Sequence, residues 1–189
     1  MYSWIPPASL ITAVQEYEGF EEVYQMEIIL KPYDGTSEKT MLRSISAFFR
    51  VHHSQVDEAQ AREDLSSWTK EDHELYDIIG DGTPVGFVHL NWRGATVCWI
   101  EDIFVEESLR RQGIASKAIG LVEEVLQKRG VEGICMDVVP DNIPALRLYH
   151  RLGYDRLSII TVRKDMQPFA TERIEQIGGM DFRIKQFND

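Results

Sequence analysis

Val97-Cys98-Trp99-Ile100-Glu101-Asp102-Ile103-Phe104-Val105, then Glu106-Glu107-Ser108-Leu109, then Arg110-Arg111-Gln112-Gly113-Ile114-Ala115-Ser116-Lys117, is the stretch whose reading decides the fold. An apolar run short enough for one strand carries two adjacent acids and feeds a glycine-containing loop that opens a helical pattern. The first amides of a helix have no intrahelical partner and attract anions, so a carboxylate-bearing strand stands beside an anion cradle. That pairing points to chemistry on a phosphate-bearing ligand.

Outward from this stretch the pattern alternates between strands and helices. Leu75 to Ile79 and Val85 to Asn91 flank Gly80-Asp81-Gly82-Thr83 and predict a β-hairpin, because Asp-Gly supplies the positive φ angles of a tight turn. The mid-strand His89 reads as a satisfied structural histidine. Met26 to Leu30 predicts an earlier strand, ended by Lys31-Pro32-Tyr33-Asp34-Gly35. Met41, Ile45, Phe48 and Phe49 share one helical face, and a second, polar helix is expected from Val56 to Trp68, with His52-His53 in the loop between them.

Downstream, Ala115, Ala118, Ile119, Val122, Val125 and Leu126 make an amphipathic helix that stops at Gly130. Gly120 inside it should cost about 1 kcal/mol relative to Ala, which suggests close packing against the sheet. Ile134 to Val139 predicts a buried strand parallel to the preceding one. Asn142 caps a further helix with Pro144 in its first turn, and Tyr154 to Val162 and Met180 to Phe187 predict two more strands. Hairpins on one side and crossovers on the other give an α/β or α+β fold: a mixed, mostly antiparallel central sheet of about seven strands flanked by helices in three layers. Residues 1–25 are expected to form an N-terminal helical extension and 26–189 a single domain.

Composition narrows the function. A chain of 189 residues buries about 70% of its unfolded surface and needs no covalent staples. Cys98 and Cys135 lie in apolar runs without metal-ligand spacing and read as free thiols. With 31 acidic and 20 basic residues the net charge is −11, which argues against nucleic-acid binding and favours cationic small molecules. No apolar run reaches transmembrane length and the N-terminus lacks a basic signal-peptide region, so a cytoplasmic location without membrane association is expected.

The loop Arg110 to Ser116 is neither a P-loop nor a dinucleotide fingerprint. Gly113 permits close ligand approach, and Arg110 and Arg111 add positive charge. Together with the second helix, Asn142-Ile143-Pro144-Ala145-Leu146-Arg147-Leu148-Tyr149-His150-Arg151-Leu152-Gly153-Tyr154, the loop resembles the two signatures of the GNAT superfamily of acetyl-CoA-dependent N-acetyltransferases, over roughly Met26 to Phe187. The spelling Ile100-Glu101-Asp102-Ile103-Phe104-Val105 is similar to the diamine and polyamine acetyltransferase branch. Arg111 departs from the glycine of many relatives.

The resemblance implies a GNAT-like acyl-CoA N-acyltransferase fold with acetyl-CoA as cosubstrate and no metal. It places cofactor contacts at Ile103, Phe104, Val105, Arg110, Arg111, Gln112, Gly113, Ile114, Ala115, Ser116, Asn142 and Tyr149. Glu101 would be the general base and Tyr149 the general acid. These roles suit the reaction: an ammonium must lose a proton before its nitrogen attacks a thioester, and the departing thiolate must gain one.

Strict alternation along the strand puts Glu101 with Ile103 and Val105, and Asp102 on the opposite face with Ile100 and Phe104. Asp102 is therefore not expected to share the site. The expected function is acetyl transfer to a primary amine of a small cationic metabolite. Alternatives are a protein or peptide amine as acceptor, a non-catalytic acyl-CoA-binding module, and an unrelated nucleotide-binding domain. A homodimer, through sheet edges or the N-terminal helix, is also compatible with the pattern.

Overall fold

The computed structural model describes residues 25–51, 55–166 and 172–185. The expected N-terminal helix, His52 and His53 lie outside them. Five strands form the main sheet: β1 (Ile28–Pro32), β2 (His73–Gly80), β3 (Thr83–Trp92), β4 (Val97–Val105) and β5 (Gly133–Cys135), in that spatial order. The first three pairings are antiparallel, whereas β4 and β5 are parallel and joined through a helix. The β2–β3 turn is Asp81-Gly82, with φ of 48° and 78°, as the Asp-Gly spelling requires.

Helices cover both faces. α1 (Glu38–Val51) and α2 (Glu58–Trp68) pack Met41, Leu42, Ile45, Ala61, Leu65 and Trp68 on Leu75, Phe87 and Phe104. On the opposite face α3 (Ile114–Lys128) sets Ile114, Ala118, Ile119, Val122 and Leu126 against Ile78, Val88, Leu90, Cys98, Ile100 and Val105. α4 (Ile143–Arg151) lays Leu148 and Tyr149 beside this second cluster. The start of α2 is fixed by Asp57, which accepts from the Gln60 amide at 2.8 Å. Gly130, at φ 78°, ends α3 in the left-handed region with its amide on the Gln127 carbonyl.

Four local expectations change. Among the described residues seven strands are present, but two of them, β6 (Glu172–Ile177) and β7 (Met180–Lys185), form a separate hairpin. The strand expected over Ile134 to Val139 is only β5, and Tyr154 to Val162 forms no strand. Leu157, Ile159 and Val162 are 86%, 71% and 69% exposed, because a strand needs a paired edge and the three-residue β5 offers little of one. β6 carries no period-2 signal in the sequence: its two apolar residues, Ile174 and Ile177, are three apart, and both stay exposed. Gly120 does not pack closely: a Cβ there would meet nothing within 4 Å.

Candidate active site

The candidate site lies where β4 loses its neighbour. Parallel pairing with β5 covers only Val97, Cys98 and Trp99, so the backbone of Ile100 to Val105 has no strand on that side among the described residues. An open strand edge offers alternating amides and carbonyls to an extended ligand. The same edge runs through Glu107–Leu109, a turn of 3-10 helix, into the start of α3. Gly113 caps α3 at φ 81° and contributes no side-chain bond, and the first helical bond runs from the Lys117 amide to the Gly113 carbonyl. The amides of Ile114, Ala115 and Ser116 are therefore without a capping side chain, which suits an anion.

The loop residues divide by task. Ile114 is a core side chain that offers only its backbone, whereas Arg111 and Gln112 are exposed. Arg111 sits at φ 64°, where a side chain costs about 1–2 kcal/mol, and this explains why glycine suits the position. Arg110 is partly committed elsewhere: its Nε donates to the Val105 carbonyl at 3.0 Å and its guanidinium lies 5.6 Å from the centre of the Phe104 ring. It ties the end of β4 to the loop. Phe104 is a core side chain of the α1–α2 layer.

The two acids end up on one face, against the parity expectation. His89 pairs with Asp102 and the next residue, Leu90, pairs with Ile100, so Glu101 is an extra residue that forms a β-bulge. The bulge shifts the alternation. Ile100 joins Ile103 and Val105 in the α3 cluster instead of Phe104. Glu101 accepts from Asn91 Nδ2 at 2.9 Å, and Asp102 Oδ2 is bonded to His89 Nδ1 at 2.8 Å. Asn91 and His89 are two apart on β3 and share a face, so Glu101 and Asp102 do too.

The acids have different surroundings. Both oxygens of Glu101 accept from Arg93, and the Arg93 guanidinium also stacks 4.7 Å from the Trp99 ring centre. Burial pushes the Glu101 carboxyl up, but the bonds from Arg93 and Asn91 and the Arg93 charge outweigh it and hold the group below the usual range. Asp102 meets an imidazole instead. His89, with a side chain 3% exposed, lies 2.8 Å through Nε2 from His73 Nδ1 and stacks on Trp68 at 4.6 Å between ring centres. Spacing along the chain gave no sign of this His73–His89–Asp102 row, since its members come from three strands.

From α4, Asn142 accepts from the Ala145 amide at 3.2 Å and caps the helix as expected. Tyr149 is half-buried, and its hydroxyl is pushed above its ordinary value first by burial and then by the charge of Asp102. It thus stands within electrostatic reach of the bulge. A cavity of about 870 Å³ between α1 and α2 is lined by Lys39, Arg43, Arg50 and Arg62 together with Glu38 and Glu58, and Glu101, Asp102 and Tyr149 do not border it. Cys98 is a buried free thiol pushed up to about 11 by burial, which makes it a poor nucleophile. Among the described residues no group of three His, Cys, Asp or Glu side chains is placed to hold a metal, and no helix is long and apolar enough to cross a membrane.

A sheet between two helical layers that opens beside an uncapped helix, with two carboxylates on one face next to the opening, is an arrangement suited to an extended, anionic ligand. Residues 39–154 match the Acetyltransferase (GNAT) family, and the chain belongs to it. A thialysine N-epsilon-acetyltransferase from Bos taurus is 36% identical over 72 residues, which covers 38% of this chain and 42% of that protein. An aminoglycoside N(6')-acetyltransferase type 1 from Salmonella typhimurium is 26% identical over 95 residues, 46% of this chain and 66% of that one. These matches span less than two thirds of either relative. Among solved structures, an aminoglycoside N-acetyltransferase in complex with CoA superposes with a TM-score of 0.62 at 16% identity over 77% of this chain and 99% of that one, a likeness of fold.

Proposed function

We propose that this protein moves the acetyl group of acetyl-CoA to a primary amine of a small cationic metabolite, with residues 26–189 acting as one domain. One observation carries the reading: the bulge at Glu101 sets two carboxylates at the opening between β4 and β5, directly upstream of the uncapped start of α3. The amides of Ile114 to Ser116 fit a pyrophosphate, and Gln112 and Arg111 border it. The open backbone from Ile103 to Val105 fits the amide-bearing pantetheine arm, with Asn142 and Tyr149 closing the opposite side.

The carboxylate pair draws in an ammonium, and one of the two acids takes its proton; the family resemblance gives that role to Glu101. Tyr149, its hydroxyl kept protonated by burial, gives a proton to the departing sulfur. The acidic surface, at net charge −11, favours a cationic acceptor. Relatives named for thialysine and aminoglycoside amines support the same acceptor class. Tyr149→Phe is expected to lower kcat about a hundredfold to ten-thousandfold, while CoA binding, measured by calorimetry, weakens by no more than about tenfold. Unchanged kcat would remove Tyr149 from the reaction, and a thermal shift with ATP but none with CoA would overturn the cofactor assignment.

A further inference from the structure

The bulge supplies two acids, and their hydrogen bonds separate them. Protonating Glu101 means breaking its two bonds from Arg93, which hold it as an ion. Asp102 uses Oδ2 on His89, and its Oδ1 has no hydrogen-bond partner among the described residues. The ring behind it is fixed. An ionised carboxylate only accepts, so His89 Nδ1 carries the hydrogen, Nε2 is an acceptor, and His73 donates through Nδ1. Trp68 covers one face of His89 and prevents the ring from turning.

Resting on the acetyltransferase reading, we propose that Asp102 takes the proton of the acceptor amine, that His89 and behind it His73 are its positioning residues, and that Glu101 serves as a fixed negative charge. The ammonium N–H bond breaks as the Asp102 Oδ1–H bond forms. The nitrogen lone pair then makes the N–C bond to the thioester carbonyl, and the C–S bond breaks. Of the two N–H protons the ammonium loses, one ends on the coenzyme A sulfur by way of Tyr149. The other leaves Asp102 for water, which matches the single net proton released when an ammonium becomes an amide.

Charged and titratable groups face this row from each packed element. Asp64 on α2 is raised by burial, and by the charges of Glu63 and Asp102, against a bond from Gln60. His73 on β2 is lowered by burial and by His89. Arg93 and Glu101 stand at the end of β3 and in β4, and Tyr149 on α4. Asp102 thus stands among other acids, and no Lys or Arg among the described residues bonds to its Oδ1.

The test is steady-state thiol release from acetyl-CoA by the full chain with spermidine, thialysine and kanamycin as acceptors, using whichever turns over fastest. Asp102→Asn is expected to lower kcat at least a hundredfold with CoA affinity within twofold of the parent. Glu101→Gln should lower kcat less than tenfold and act mainly by raising KM for the amine. His89→Leu, which removes the donor, should lower kcat at least tenfold. His89→Asn, which keeps a donor near the Nδ1 position, should recover to within about threefold of the parent, a rescue that a purely structural role for the ring does not predict. The reverse order, with Glu101→Gln the more damaging in kcat, overturns this proposal and leaves the transfer reading intact. A parent chain that releases thiol with none of the three acceptors overturns the transfer reading and this proposal with it.

Discussion

Two glycines give a matched test of the geometry around the proposed cofactor edge. At Gly86 a Cβ would lie 2.0 Å from the Phe104 carbonyl oxygen and 3.1 Å from the Val105 Cα, both backbone atoms that cannot swing aside. Gly86→Ala must therefore part β3 from β4 at the Gly86–Val105 pair, and it also threatens the Glu106 amide bond to the Val85 carbonyl. Losing one or two backbone bonds at about 1 kcal/mol each, with about 1–3 kcal/mol of overpacking strain, gives a cost of about 2–5 kcal/mol. For a chain of this length that lowers Tm by roughly 4–20 °C. Because Ile103 to Val105 form the proposed pantetheine rail, CoA affinity should fall as well.

Gly120→Ala is the control. It adds a methyl to open space in a helix interior and should stabilise by about 1 kcal/mol, or roughly 2–4 °C. Circular-dichroism melts and calorimetric titration with CoA read both variants. A Gly86→Ala protein that melts within 2 °C of the parent and binds CoA equally well would refute the close approach of β3 and β4 and the rail built on it.

Two acids on β2 should respond to pH with opposite signs. Glu74 is pushed up by burial, but bonds from Arg129, Tyr76 and Trp92 win and hold it low, so its stabilisation is present at neutral pH and is lost as pH falls through the folded pKa. Glu74→Gln is expected to cost about 1–2 kcal/mol at pH 7, and the gap to the parent should narrow on acidification, as seen in urea melts. Asp77 is held high by burial, offset in part by the Ser37 hydroxyl at 2.7 Å, so its ionisation above the folded pKa destabilises the fold. Asp77→Asn should raise Tm at pH 7, with a gain that shrinks as the pH falls. Gly113→Ala, at φ 81°, should cost about 1 kcal/mol and weaken CoA binding about fivefold or more, read by calorimetry.

What could be read in the chain was local. Asp81-Gly82 announced its hairpin, Asn142 its cap, and the apolar period of Ile114 to Leu126 its helix, because each signal and its structural result lie within a few residues. The loop at Gly113 was legible for the same reason. The bulge was not: it exists only in the register between β3 and β4, so strict alternation placed Asp102 and Ile100 on one face when they lie on opposite faces. The row from His73 through His89 to Asp102 is likewise a product of three strands aligning. His89 is a satisfied structural histidine, as its place in an apolar strand implies, but what satisfies it is the candidate catalytic acid. The strand expected at Tyr154 to Val162 failed for want of a partner edge, which no local pattern reports.

Acetyl transfer to an amine at this opening is the proposal on which the assigned residue roles stand. Incubating the full chain with acetyl-CoA carrying a 13C-labelled acetyl group and a panel of polyamines, thialysine, aminoglycosides, amino acids and peptides, and following free thiol and labelled product by mass spectrometry, tests it directly. The expected result is stoichiometric thiol release and a labelled amide on a small cationic primary amine, with both slowed at least a hundredfold in Tyr149→Phe. CoA binding without labelled amide on any member of the panel would contradict it and leave a binding module in its place.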